Sequence, residues 1–169
     1  MISIRRLGEG DAAVAEVAVR TFKGPSHSES LDAFLANPAN FLLVAVAENG
    51  REPVGYLLAY RLQRPDRRAA QMFIYEVAVA EGFRRRGLAS ALLAEIRRLA
   101  RAEGMFEAFV LTSRGNEAAR SLYARTGAVV EDDAALLFVY PIPPIALEGP
   151  PAVPSPAGAP ARSKRERPA

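Results

Sequence analysis

Apolar residues recur with two different periods along residues 1–140. Residues 2–6 alternate and predict a short first strand. Within residues 11–21, Val14, Val17 and Ala18 fall at helical spacing. Ser26 followed by Glu29 fits a capping box, and Leu31, Phe34 and Leu35 then form one apolar helix face. Asn37-Pro38 ends that helix, because proline disfavours helical geometry in the residue before it. Residues 41–47 are almost continuously apolar and predict a strand, Glu48-Asn49-Gly50 a hairpin turn, and residues 54–62 the return strand. Residues 63–70 are polar, carry Pro65-Asp66 and read as a loop. Residues 72–79, rich in aromatic and β-branched side chains, predict a further strand. The loop Gly82-Phe83-Arg84-Arg85-Arg86-Gly87 then leads into the clearest helix. Its Leu88, Leu92, Ile96 and Leu99 share a face, and Gly104 stands at the position of a C-terminal cap. Residues 106–111 predict a strand, and Asn116 opens a short helix that closes at Thr126-Gly127. Residues 128–130 and 135–140 are the last strand candidates, with Glu131-Asp132-Asp133 between them. This order predicts an α+β fold: about four helices on a mixed, mostly antiparallel sheet of about six or seven strands.

Composition narrows the chemistry. The chain of 169 residues is 50% hydrophobic and 24% charged, with mean hydropathy +0.01, as expected of a globular domain. It has no cysteine, which excludes disulfides, thiolate metal sites and an acyl-cysteine mechanism. His27 is its one histidine, sits in Pro25-Ser26-His27-Ser28 and reads as a solvated loop residue; multi-histidine metal sites are excluded. No metal is expected. No apolar run reaches membrane-spanning length, and the N-terminus lacks the apolar stretch of a signal peptide, so a cytoplasmic protein is the default expectation.

The net charge of +3 is unevenly placed. Nine of the 13 prolines and the basic residues Arg162, Lys164, Arg165 and Arg167 follow Tyr140. A domain over residues 1–140 and a disordered, Pro/Ala-rich basic tail over 141–169 are therefore expected. The sequence pI of 9.6 reflects that tail in part, so it does not imply a nucleic-acid or membrane-binding face.

Arg84-Arg85-Arg86-Gly87-Leu88-Ala89 lies between a strand and a long helix. The first turn of a helix has unpaired N–H groups and the positive end of the dipole, and glycine lets a ligand approach the backbone. Beside three arginines this makes an anion site suited to a pyrophosphate; a solvated basic loop is the plain alternative.

Arg-x-x-Gly-x-Ala after an apolar strand resembles the acetyl-CoA pyrophosphate loop of the GNAT superfamily of N-acetyltransferases. Asn116-Glu117-Ala118-Ala119-Arg120-Ser121-Leu122-Tyr123, followed by Gly127, is similar to that superfamily's Asn-x-x-Ala-x-x-Leu-Tyr-x-x-x-Gly segment. Met72-Phe73-Ile74-Tyr75-Glu76-Val77-Ala78-Val79 looks closest to the aminoglycoside 3-N-acetyltransferase branch, whose strand here is of the Ile-Tyr-Asp-Leu-Ala-Val type. Glu76 stands where that branch has aspartate, one methylene shorter.

The resemblance implies acetyl-CoA as cofactor, coenzyme A as product and a small-molecule amine as acceptor. An aminoglycoside acetylated at its 3-amino group is the leading expectation. A peptide N-terminus, a lysine or a polyamine is the alternative acceptor, and a catalytically silent acyl-CoA-binding module is the alternative class. Neither nucleic acid nor membrane is expected as a partner, and a homodimer is a prior from the family. Val77, Ala78 and Val79 would receive the pantetheine arm on their backbone, or be plain core residues. Arg84, Arg85, Arg86, Gly87, Leu88 and Ala89 would hold the pyrophosphate. Asn116 and Ala119 would contact the cofactor arm, and Tyr123 would touch the cofactor and protonate the leaving thiolate. Without the motif, Asn116 reads as an N-cap and Tyr123 as a half-buried core residue. Glu76 would contact or deprotonate the acceptor amine, or be an ordinary strand glutamate. Glu29, Glu131, Asp132 and Asp133 are the candidate carboxylates for a polycationic acceptor.

Overall fold

A computed structural model of the chain describes residues 2–25, 28–47 and 52–131, without the side chains of residues 28 and 29. These residues fall in one compact unit, Met1–Asp133. In chain order they form β1 (Ser3–Leu7), α1 (Ala12–Lys23), α2 (Ser28–Ala36), β2 (Asn40–Val46), β3 (Pro53–Leu62), β4 (Gln71–Val79), a short 3-10 turn (Glu81–Phe83), α3 (Leu88–Ala102), β5 (Glu107–Val110) and α4 (Glu117–Arg125).

The strands make one sheet in the order β1-β2-β3-β4-β5. The first three pairings are antiparallel; β4 and β5, joined through α3, are parallel. The α+β class with a mostly antiparallel sheet and four helices is therefore observed, but with five strands among the described residues rather than six or seven. Residues 128–130 follow α4 in irregular conformation, not as a strand. Ala128 N–H returns to Tyr123 O, so the first of them closes the helix instead of entering the sheet. The strand expected at 135–140, the turn at 48–50, His27 and the tail at 141–169 lie outside the described residues.

Both faces of the sheet are covered. Phe41, Leu43, Ala45, Leu57, Met72 and Ile74 pack against α3 through Leu88, Leu92, Leu93, Ile96 and Ala100. Leu42, Val44, Val46 and Tyr56 pack against α1 and α2 through Ala15, Ala18, Leu31 and Leu35. This explains the unbroken apolar run of β2: alternate residues serve two different cores, so neither set faces water. In α1 the buried stripe runs through Ala15 and Ala18, while Val17 points outward at 44% exposure. Two alanines let the helix approach the sheet closely, and the valine expected in the core lies off that stripe.

Among the described residues no helix is long and apolar enough to cross a membrane.

Candidate active site

The site begins with a fault in one strand. Along the β3–β4 ladder Leu58 pairs with Glu76 and Ala59 with Ile74, so Tyr75 has no partner and forms a β-bulge. The extra residue reverses the alternation. Met72 and Ile74 face α3 before it, and Val77 and Val79 pack on that same side after it. Glu76 and Ala78 are thereby turned to the face of α1 and α2. A regular strand would have pointed Glu76 into the α3 core.

The bulge also coincides with the end of pairing to β5. The parallel ladder runs from Gln71–Glu107 to Ile74–Val110 and stops there. Ala80 N–H bonds to Val54 O, so Ala80, Ala78 and Glu76 direct their backbone groups toward β3. By alternation Val77 and Val79 direct theirs to the opposite edge, where β5 no longer follows. A cleft of about 750 Å³ opens at this place.

Each wall of the cleft comes from a different element. Strand β4 supplies Val77, Ala78 and Val79; the following turn supplies Glu81 and Arg84; α3 supplies Ala89. From α4 come Asn116, Ala119, Leu122 and Tyr123, and from the end of α1 come Thr21 and Phe22. Asn116 and Tyr123 are two helical turns apart and line the same cleft, as their spacing predicts. The Asn116 carboxamide oxygen accepts from Ala119 N–H at 3.1 Å, so the N-cap role is realised as well. Tyr123 is half-buried, and burial pushes its phenol above the usual tyrosine range. It stays protonated at neutral pH and can donate to a sulfur leaving group.

The basic loop shapes the mouth. Gly87 precedes α3 in left-handed conformation (φ 79°), and no side chain caps the helix. Among the described residues no protein group accepts the N–H of Leu88, Ala89 or Ser90. Arg85 also has positive φ (61°), alone among the described non-glycine residues, a conformation that strains an L side chain. Three arginines do not play one part here. Arg84 Nε donates to Val79 O at 3.1 Å, engaging the carbonyl expected to meet the pantetheine. Arg86 lies over the Phe83 ring at 5.5 Å. Arg85 and Arg86 are exposed beyond the cleft lining, and the Leu88 side chain belongs to the core. Open amides and a glycine turn suit the pyrophosphate and nucleotide end of acetyl-CoA, and the unpaired β4 edge suits its amide-bearing arm.

Glu76 is not among the residues lining the cleft; it precedes the lining Val77 in β4 and faces the end of α1. Lys23, the last residue of α1, bonds its Oε1 at 2.9 Å and stands 2.8 Å from Oε2. Oε2 is shut off from water and receives no well-directed hydrogen bond despite that proximity. The charge of Glu76 reaches two tyrosines of β3, Tyr56 and Tyr60. Burial first, then the Glu76 charge, holds the Tyr56 phenol far above its ordinary range, and Tyr60 is raised by burial, Tyr75 and Glu76. Tyr75, 58% exposed, meets Tyr60 edge-on at 5.8 Å and Phe73 at 5.7 Å, and Phe73 stacks on Phe109 at 5.0 Å.

Lys23, Tyr56 and Tyr60 were not singled out by the sequence. A lone lysine at a helix end carries no signal, and tyrosines on a strand read as ordinary strand formers. Of the acidic cluster only Glu131 is described; it is exposed and absent from the lining, while Asp132, Asp133 and the Glu29 side chain lie outside the described residues.

The sequence matches the model of the acetyltransferase (GNAT) family over residues 12–128. No curated protein matches it. Solved structures do. An aminoglycoside acetyltransferase from an uncultured soil metagenomic sample, in complex with sisomicin, superposes with TM-score 0.76 at 25% identity, covering 83% of this chain and 96% of that one. A second aminoglycoside acetyltransferase from an uncultured soil metagenomic sample gives TM-score 0.76 at 26% identity, covering 84% and 99%. The aminoglycoside acetyltransferase AAC(6')-Iy, solved with a bisubstrate analogue of coenzyme A and acetylneamine, gives 0.68 at 18%, covering 84% and 99%, a likeness of fold. A cleft on a splayed strand pair, open helix amides at its mouth and a protonated tyrosine within it accord with the family match over more than half of the sequence: the chain belongs to the acetyltransferase (GNAT) family and is an acetyl-CoA-dependent N-acetyltransferase.

Proposed function

We propose that this acetyltransferase acetylates an aminoglycoside, at its 3-amino group. The observation that carries the reading is Glu76: a carboxylate next to the cleft-lining Val77, with one oxygen lacking a directed donor and with Tyr56 and Tyr60 within reach of its charge. A carboxylate attracts an ammonium, and tyrosine rings offer flat apolar faces and hydroxyls to a sugar ring. The two soil acetyltransferases named above, one with sisomicin bound, support the substrate class. The 3-amino assignment rests on the resemblance of Ile74-Tyr75-Glu76-Val77 to the strand of that branch.

Acetyl-CoA supplies an activated acetyl group as a thioester. The chain's own residues do the rest. The Val77 N–H, directed to the open edge of β4, is the candidate donor to the thioester carbonyl oxygen, where negative charge develops. Glu76 orients the acceptor amine and draws its proton, directly or through water. The Tyr123 phenol gives a proton to the departing thiolate. With no cysteine available for an acyl-enzyme, direct transfer in a ternary complex is the natural course.

The test is free-thiol release from acetyl-CoA with sisomicin, gentamicin, kanamycin, apramycin, spermidine and short peptides, with the product located by mass spectrometry and NMR. One acetyl group on the 3-amino nitrogen of gentamicin is expected. Acetylation at another amino group overturns the regiochemistry alone. Turnover of only peptides or spermidine overturns the aminoglycoside reading.

A further inference from the structure

The partner of Glu76 is unusual for this chain. Its basic residues are arginine except for two lysines, Lys23 and Lys164. Arginine forms the ion pairs with Asp11, Glu16, Asp66, Glu95 and Glu103. Lysine appears against Glu76, 53 residues away in sequence. A basic residue at the end of α1 is accounted for by the helix dipole, as Arg20 is. The dipole does not account for an ammonium turned onto Glu76, the residue before the cleft-lining Val77.

The chemistry of the pair is specific. An arginine fork satisfies both carboxylate oxygens at once, whereas an ammonium is a point donor. Lys23 gives a directed bond to Oε1 only, and Oε2 is left inside the protein without one. The Lys23 ammonium is a primary amine presented to the carboxylate as an acceptor amine would be. Its neighbours Thr21 and Phe22 line the cleft itself.

Resting on the acetyltransferase reading above, we propose that Lys23 is the resident counter-ion of the acceptor subsite. Its ammonium holds the position at Glu76 that an acceptor ammonium takes, and the acceptor binds by displacing it. Lys23 is thus a specificity-determining residue. A tethered cation competes at an effective concentration on the order of millimolar. An acceptor with one ammonium and little else binds poorly against that competition. An acceptor with further cationic groups and a ring to lay on Tyr75 and Tyr60 gains the contacts that displace Lys23.

Two readouts test this. In the thiol-release assay with sisomicin, Lys23→Met should lower the acceptor KM about fivefold and leave the acetyl-CoA KM unchanged, a split that a merely structural lysine would not produce. Lys23→Arg, which keeps the cation and can engage both carboxylate oxygens, should hold the acceptor KM at or above the wild-type value. A sisomicin KM that is unchanged or raised in Lys23→Met overturns the proposal. The second readout needs no turnover. With two lysines in the chain, brief labelling with acetic anhydride and peptide mass spectrometry reports Lys23 against Lys164 as internal reference. The Lys23 to Lys164 ratio should rise at least threefold in Glu76→Gln; an unchanged ratio overturns the proposal. If wild-type protein acetylates no aminoglycoside, the substrate reading falls, and the labelling ratio still judges Lys23.

Discussion

Tyr123 and the tyrosines around Glu76 share a phenol but not a task. Tyr123 lines the cleft from α4, and burial keeps its proton in place at neutral pH. Tyr123→Phe removes the hydroxyl and little else. Turnover should fall about 100-fold, the lower end of what a positioned proton donor contributes. The acetyl-CoA KM should hold; steady-state kinetics with kcat unaltered would remove the tyrosine from the mechanism. Tyr56 is buried, and its phenol is raised by burial and by Glu76. The folded protein therefore holds this proton to higher pH than the unfolded chain, whose tyrosines titrate near about 10. Above that pH the unfolded state binds fewer protons, so stability is complete below about pH 10 and falls as pH rises beyond it. Tyr56→Phe should flatten that alkaline fall in urea midpoints measured from pH 9 to 12. A fall as steep as in the wild type would trace the effect to other groups.

One glycine governs how α3 meets the sheet. A Cβ on Gly55 would stand 3.1 Å from Ala45 Cβ and Leu92 Cδ1 and 3.3 Å from Leu88 Cδ2. Leu88 and Leu92 are the first turns of α3, the end that carries the open amides. The leucine tips can yield, but Ala45 is fixed in the adjacent strand. Gly55→Ala should cost about 1–3 kcal/mol through overpacking, seen as a lower urea midpoint at constant m. It should also raise the acetyl-CoA KM, because the helix end moves with its leucines. A midpoint equal to the wild type would mean that α3 adjusts freely. The bulge at Tyr75 works on the same scale. It turns Glu76 away from the α3 core and leaves Val77 and Val79 facing an open edge. One inserted residue thus separates the carboxylate from the backbone donors while keeping both on β4.

The layered arrangement joins these parts into one site. Helix α3 lies on one face, α1 and α2 on the other, and the cleft takes residues from both sides of β4. At the far end of α3, Glu103 binds Arg6 and Arg61 from β1 and β3, and Arg6 covers the Phe41 ring at 3.7 Å. The helix is thereby held at its C-terminus as well as through its apolar stripe. A ligand touching β4, α3 and α4 together should stabilise the whole unit. At 100 times its dissociation constant acetyl-CoA adds about 2.7 kcal/mol. For a chain of this length that is a rise of roughly 5–10 °C in Tm by calorimetry. A constant Tm at such concentrations would mean that acetyl-CoA does not bind this folded unit in preference to the unfolded chain.

Much of this was legible in the residues. The basic glycine loop, the Asn116 to Tyr123 segment and the helices around them were readable because their determinants are local. Helical spacing, a cap and a glycine turn each involve residues within a few positions of one another. The order of elements followed from the same periodicities. The Tyr75 bulge was not readable, since a register shift exists only relative to the strand beside it, and nothing in Ile74-Tyr75-Glu76 marks which residue lacks a partner. The exposure of Val17 and the irregular course of 128–130 were hidden for a similar reason: apolar character says that a residue can be buried, not that a neighbour arrives to bury it. The pairing of Lys23 with Glu76 and the edge-on meeting of Tyr60 with Tyr75 each join two different elements of the chain. Local pattern alone carried the family's cofactor motifs; the approach of the end of α1 to β4 decided what Glu76 meets, because charge and ring contacts act through space and not along the backbone.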